Sequence, residues 1–150
     1  MVKSILYPLS LLLGLMLYTG CAGSSDSGKN GVSRKNYYTS IGISFRNEFF
    51  GILQHILVNK YQYDIARTEE SPREIYFETG WKDRPVFSDE VKLHITAART
   101  RIIVRAKSRG NVGQYKLHFY AETEVRYEIP QQWEPGPLSK MLKKKLDLIA

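Results

Sequence analysis

The stretch Val91–Ile129, VKLHITAARTRIIVRAKSRGNVGQYKLHFYAETEVRYEI, decides the fold. In its second half Tyr115, Leu117, Phe119, Ala121, Val125, Tyr127 and Ile129 keep one phase, and Lys116, His118, Tyr120, Glu122, Glu124, Arg126 and Glu128 keep the other. A period of two marks a strand with one buried and one wet face. The first half has Val91, Leu93, Ile95 and Ala97 in one phase but Ile102, Val104 and Ala106 in the opposite one, which predicts a β-bulge between Ala98 and Arg101. With Gly110-Asn111-Val112-Gly113 as the turn, the predicted register sets Ala106 against Leu117 and Val104 against Phe119. Past the bulge it sets Ala97 against Val125 and Ile95 against Tyr127, and on the other face Arg101 against Glu122 and His94 against Glu128.

Upstream of this hairpin, Ser44 is a plausible N-cap for a helix from about Phe45 to Lys60, with Phe45, Phe49, Ile52, Leu53, Ile56 and Leu57 at three- and four-residue spacing. Tyr61, Tyr63 and Ile65 then alternate with polar or small residues as in a half-buried strand. Glu69-Glu70-Ser71-Pro72 is a turn, and Glu74–Trp81 a strand with Ile75, Phe77 and Trp81 on one face. Lys82–Asp89, with Pro85, reads as a loop. Downstream, Gln131–Gly136 is irregular and Pro137 opens a final helix to about Ile149. The expected fold class is therefore α+β: about four antiparallel strands, with room for a short strand at Tyr38–Ile43, and an N-terminal and a C-terminal helix on one face.

The chain is 150 residues long, with 22 Lys and Arg against 15 Asp and Glu, and a single cysteine. Length allows one domain, and the ordinary apolar and charged fractions exclude collagen, coiled-coil arrays and wholesale disorder. One cysteine excludes an internal disulfide framework and a Cys-rich zinc module. That cysteine, Cys21, follows Lys3, an apolar run from Ile5 to Leu17 and the small pair Thr19-Gly20, which are the parts of a secretory signal. The run is shorter than the about 20 residues a bilayer span needs. Residues 22–36, AGSSDSGKNGVSRKN, have the composition of a flexible tether. The expected organisation is 1–20 signal peptide, 21–36 anchored N-terminus and tether, and 37–150 a single domain. Without the signal, 21 basic residues face 15 acidic ones, so the mature chain carries +6.

No nucleophile, base or metal constellation has recognisable spacing. His55 falls in the first helix, and His94 and His118 lie far apart on the predicted ladder. The chain is expected not to be an enzyme and to need no cofactor or metal. Basic residues gather in two places: Arg99, Arg101, Arg105, Lys107 and Arg109 along the bulged strand, and Lys140, Lys143, Lys144 and Lys145 on the last helix. In that helix Leu138, Met141, Leu142, Leu146, Leu148 and Ile149 form an apolar side, into which Lys145 intrudes. Arg101, Arg105, Lys107 and the four lysines are the candidate contacts to a membrane or partner.

Thr19-Gly20-Cys21 resembles the lipobox of bacterial lipoproteins, although Tyr18 stands where leucine is usual. The resemblance implies diacylation of Cys21 and attachment to a membrane through that lipid. Ala22 in place of the aspartate that retains such proteins at the inner membrane implies the periplasmic face of the outer membrane. Phe50–Trp81, FGILQHILVNKYQYDIARTEESPREIYFETGW, is similar to the helix, strand, turn and Trp-ending strand of BamC-type domains, subunits of the outer-membrane β-barrel assembly machinery. Such proteins usually carry two of these domains, and this chain has room for one. The expected function is non-enzymatic, through contacts with an envelope protein in outer-membrane assembly or maintenance. The lipid-anchored basic helix-and-sheet layout is also similar to LptE-type lipoproteins of lipopolysaccharide export, which makes an anionic glycolipid the alternative ligand. A small hydrolase with an unfamiliar site is the third reading, and an exported protein implies no nucleic acid.

Overall fold

The computed structural model describes residues 36–110 and 113–150; the expected signal, Cys21 and the expected tether up to residue 35 lie outside the described residues, as do the two central residues of the expected turn. Its spine is the hairpin of β5 (Ile95–Ser108) and β6 (Gln114–Tyr127). On one side β6 pairs with β1 (Tyr37–Phe45); on the other β5 pairs with β3 (Glu74–Thr79), which pairs with β2 (Ile65–Glu70). β4 (Lys82–Arg84) adds to β5 and β7 (Glu134–Pro135) to β6, so the described antiparallel sheet has seven strands where about four were expected. The α+β class and the antiparallel sheet stand.

Most of the predicted hairpin register is present: Ala106 faces Leu117, Val104 faces Phe119, Arg101 faces Glu122 and Ile95 faces Tyr127. The bulge lies elsewhere, between Ile95 and Ala97, so that Ala98 and not Ala97 opposes Val125. There Thr96 hydroxyl donates to the Arg126 carbonyl at 3.0 Å. Two adjacent alanines leave alternation unable to choose between them. Val91 and Leu93 do not extend β5. Val91 closes the short helix α2 (Ser88–Val91), and His94, at φ +60°, turns the chain into the strand and does not oppose Glu128.

α1 (Arg46–Leu53) runs into a π-helical segment, Gln54–Lys60. Ser44 does not cap it; Phe45 is the extended N-cap, and Ser44 Oγ instead reaches Glu48 at 3.3 Å. The wider π turn keeps residues four apart on one stripe, so Phe49, Leu53 and Leu57 are all buried while Phe45 and Ile52 face water. Tyr61 ends this segment instead of starting a strand, its N–H bonding the Ile56 carbonyl at 2.9 Å. Lys82–Asp89 is a loop only at residues 85–87; β4 and α2 take its two ends, and the buried ion pair of Arg84 and Glu90 ties them together. α3 (Lys140–Asp147) begins later than Pro137: Ser139 caps it, accepting from the Leu142 N–H at 3.1 Å.

α1 and α3 lie on the same face of the sheet. Phe49, Leu53, Leu57, Leu142, Leu146 and Ile149 close over Ile75, Phe77, Ile102, Val104, Leu117 and Phe119 in one core. Met141 and Leu148, expected on the apolar side of α3, are exposed. A smaller cluster of Ile95, Ala98 and Val125 sits under Val86 at the far end of the hairpin. Among the described residues no helix is long and apolar enough to cross a membrane.

Candidate functional site

Helices cover one face of the sheet; the other face is built by the alternate residues of β3, β5 and β6. It carries Tyr76 and Glu78, then Arg99, Arg101 and Arg105, then His118, Tyr120, Glu122 and Glu124. Two tryptophans join from connections. Strand β3 ends at Thr79, whose hydroxyl accepts from the Ile102 N–H at 2.9 Å and takes the last buried place. Gly80, bonded to the Asp64 carbonyl at 2.8 Å, breaks the alternation and delivers Trp81 to the open face, not to the core face expected for it. Trp133 arrives from the segment before β7.

These side chains form a ladder. The Arg99 guanidinium lies 4.3 Å from the Trp133 ring centre and 5.0 Å from that of Trp81, and Arg101 lies 4.8 Å from Trp81. Each such contact contributes about 0.5–1 kcal/mol at an exposed site and more where water is excluded. The same guanidinium groups are held by carboxylates: Arg99 Nε donates to Glu124 at 2.8 Å, Arg101 Nε to Glu122 and Nη1 to Glu78, both at 2.7 Å. Burial alone would lower the Arg101 guanidinium, but its hydrogen bond to Glu122 and the charges of Glu122 and Glu78 outweigh this and hold it above its usual value. Tyr76 hydroxyl donates to the second oxygen of Glu78 at 2.7 Å; burial first, and this bond second, push the phenol upward.

Farther along, Arg105 lies between the rings of Tyr76 and Tyr120, at 5.4 and 5.8 Å. His118 stacks on Tyr38 of β1, with the Tyr38 hydroxyl and Nδ1 at 2.8 Å. An open cleft of about 560 Å³ borders this end of the face, lined by Arg67, Glu69, Glu70, Glu74, Tyr76 and Arg105. Of the expected basic strip, Arg99, Arg101, Arg105 and Lys107 do share one row, but Arg99 and Arg101 are neutralised in place. Lys107 stands opposite Lys116 on one side and Glu74 on the other.

The α3 lysines belong to the other side of the molecule, on the helix that packs beneath the sheet. Lys140, Lys143, Lys144 and Lys145 are all exposed, and Lys143 pairs with Asp147 at 3.1 Å. Lys145 escapes the apolar side by lying 5.9 Å from the Phe87 ring, where it lines a notch of about 130 Å³ with Tyr61, Tyr63 and Lys82. Burial pushes the Tyr63 phenol up to about 12. Trp81, Trp133, Tyr76 and Glu78 were not among the sequence candidates; the one signal for them is Gly80, a break in alternation just before a large aromatic residue.

Compared with known proteins, the chain matches no family model, no curated protein and no solved structure.

Proposed function

We propose that this is a lipid-anchored protein of the periplasmic face of the outer membrane that acts without catalysis, by docking an envelope protein on the open face of its sheet. The observation that carries the reading is the ladder Trp133, Arg99, Trp81, Arg101 with its carboxylate partners. Trp, Tyr and Arg are the residues that dominate binding energy at protein interfaces, and here they are held in place before any partner arrives. An anion trap needs unspent N–H donors, whereas Arg99 and Arg101 already donate to Glu124, Glu122 and Glu78. That chemistry favours a protein surface over lipid phosphate. The lipobox at Cys21 and the BamC-like stretch, which ends on Trp81 itself, support the envelope setting.

Photocrosslinkers placed at Tyr120 and Arg126, beside the ladder but outside it, test the proposal in the native envelope. Recovery of a discrete envelope protein, lost in Arg99→Ala, is the expected result; labelling of lipid alone overturns it. The exposed row Lys140, Lys144 and Lys145 favours a second reading, contact with an anionic glycolipid. Flotation of the unacylated chain with anionic vesicles, abolished in Lys140→Glu/Lys144→Glu, would support that reading, and no flotation of the parent would reject it.

A further inference from the structure

We infer that the outer edge of β1, with the apolar groove beside it, is a strand-acceptor site that takes an extended, uncharged segment of another protein whose apolar side chains alternate. This site is distinct from the ladder and goes beyond the docking proposed for it. β1 reads YYTSIGISF, nine residues with no charge, and among the described residues it ends the sheet, paired with β6 on one side. Among the described residues no strand pairs with its other edge. A sheet edge presents unpaired N–H and C=O groups, and proteins usually guard it with lysine, proline or a covering element. β1 has neither residue type; its one protective feature is the bulge between Ser40 and Gly42.

The floor beside this edge is apolar. Ile41, Phe49, Ile52, Leu53 and Leu117, with Ser44 and Ala150 at its margin, line a groove of about 260 Å³ between β1 and α1, on the helix side of the sheet. Ile52 is 54% exposed there, while Ile43, paired with Lys116, is 51% exposed on the other face of the same edge. A strand added to β1 sends every second side chain to the helix side, so main-chain hydrogen bonds would supply affinity and the groove would select apolar residues at alternate positions.

Charge and composition choose the occupant. The tether, residues 22–36, has Val32 as its one large apolar residue and cannot fill a groove of this kind. A second copy would bring two mature chains of net charge +6 edge to edge and set two bulged strands against each other, one repulsive and the other breaking the ladder. A foreign segment without charge avoids both costs.

The test uses the full chain in detergent and a fluorescent decapeptide of alternating valine and serine, with a control of the same composition whose valines fall at three- and four-residue spacing. The alternating peptide is expected to bind at least about tenfold tighter than the control, a 1.4 kcal/mol difference, and to slow hydrogen exchange in β1. Ile41→Lys, which puts a charge on the groove side of the edge, and independently Ile52→Lys on the exposed side of α1, should each abolish the preference in variants whose circular dichroism matches the parent. Equal binding of the two peptides, or a preference unchanged by both substitutions, overturns the assignment. So does a concentration-dependent dimer that Ile41→Lys dissolves, since that places a second copy at the edge.

Discussion

The guanidinium carbon of Arg99 stands 4.3 Å from the centre of the Trp133 ring, which clamps it against Trp81 while Glu124 holds its edge. Arginine's flat, weakly hydrated head can stack and pair at once, and an ammonium cannot. Trp133→Ala is therefore expected to cost about 1–2 kcal/mol, and Arg99→Lys about 1 kcal/mol, in urea unfolding. A Trp133→Ala chain as stable as the parent would mean that the clamp contributes nothing to folding.

Arg84 and Glu90 pair with side chains only 7% and 0% exposed. Arg84 also donates to the Thr100 and Thr123 hydroxyls at 3.1 and 3.2 Å, and Glu90 accepts from the Phe87 N–H at 3.0 Å. Arg84→Met strands a buried carboxylate and is expected to cost about 3–5 kcal/mol, whereas Arg84→Met/Glu90→Leu should recover much of that loss. Chemical denaturation of the single and double variants reads the difference. Equal losses would place the stability in the threonine contacts, not in the ion pair.

Asp147 accepts from the Tyr37 hydroxyl at 2.6 Å and from the Lys143 ammonium at 3.1 Å, and these bonds, Tyr37 first, hold its carboxyl below the usual range. A lowered folded value contributes stability above the ordinary aspartate value of about 4, lost as the pH falls through the folded one. Melting temperature should therefore drop less steeply below about pH 4 in Asp147→Asn than in the parent. At the alkaline end Tyr37, pushed up to about 12 chiefly by burial, favours the folded state below its ordinary value and gives that contribution up as pH rises toward 12.

Gly136 needs the absence of a side chain for space. A Cβ there would come within 2.6 Å of Val125 Cγ1 and 3.3 Å of Thr123 Cγ2. Gly136→Ala must push β7 off β6 and weaken the 2.9 Å bond from its N–H to the Thr123 carbonyl. A loss of about 1–3 kcal/mol is expected on thermal unfolding, with faster hydrogen exchange at Gly136.

Cys21 is the predicted acylation point. Metabolic palmitate labelling should mark the parent and not Cys21→Ser, and globomycin should leave the precursor unprocessed. An unlabelled, freely soluble mature chain would remove the membrane anchor from the proposed function.

The long hairpin was legible because its strands run to fourteen residues, long enough for a period of two to declare itself, and a slip of one residue would turn Phe119 and Val104 to water. β4 and β7, three and two residues long, carry no period; they exist because long neighbours offer free edges to pair with. The bulge was placed too late because Ala97 and Ala98 are alike.

The amino-acid order alone determined the α+β class, the core face of β5 and β6, the pairing of Arg101 with Glu122, and the cysteine on which an anchor would be built. Tertiary structure decided which arginines remain available. Arg99 and Arg101 read in the sequence as a basic strip met by Glu122, but Gly80 delivers Trp81, the β6-to-β7 connection delivers Trp133, and β3 adds Glu78 from a segment the hairpin pattern does not contain. Local periodicity records which side of a strand is buried; it holds no record of what distant segments lay across the other side.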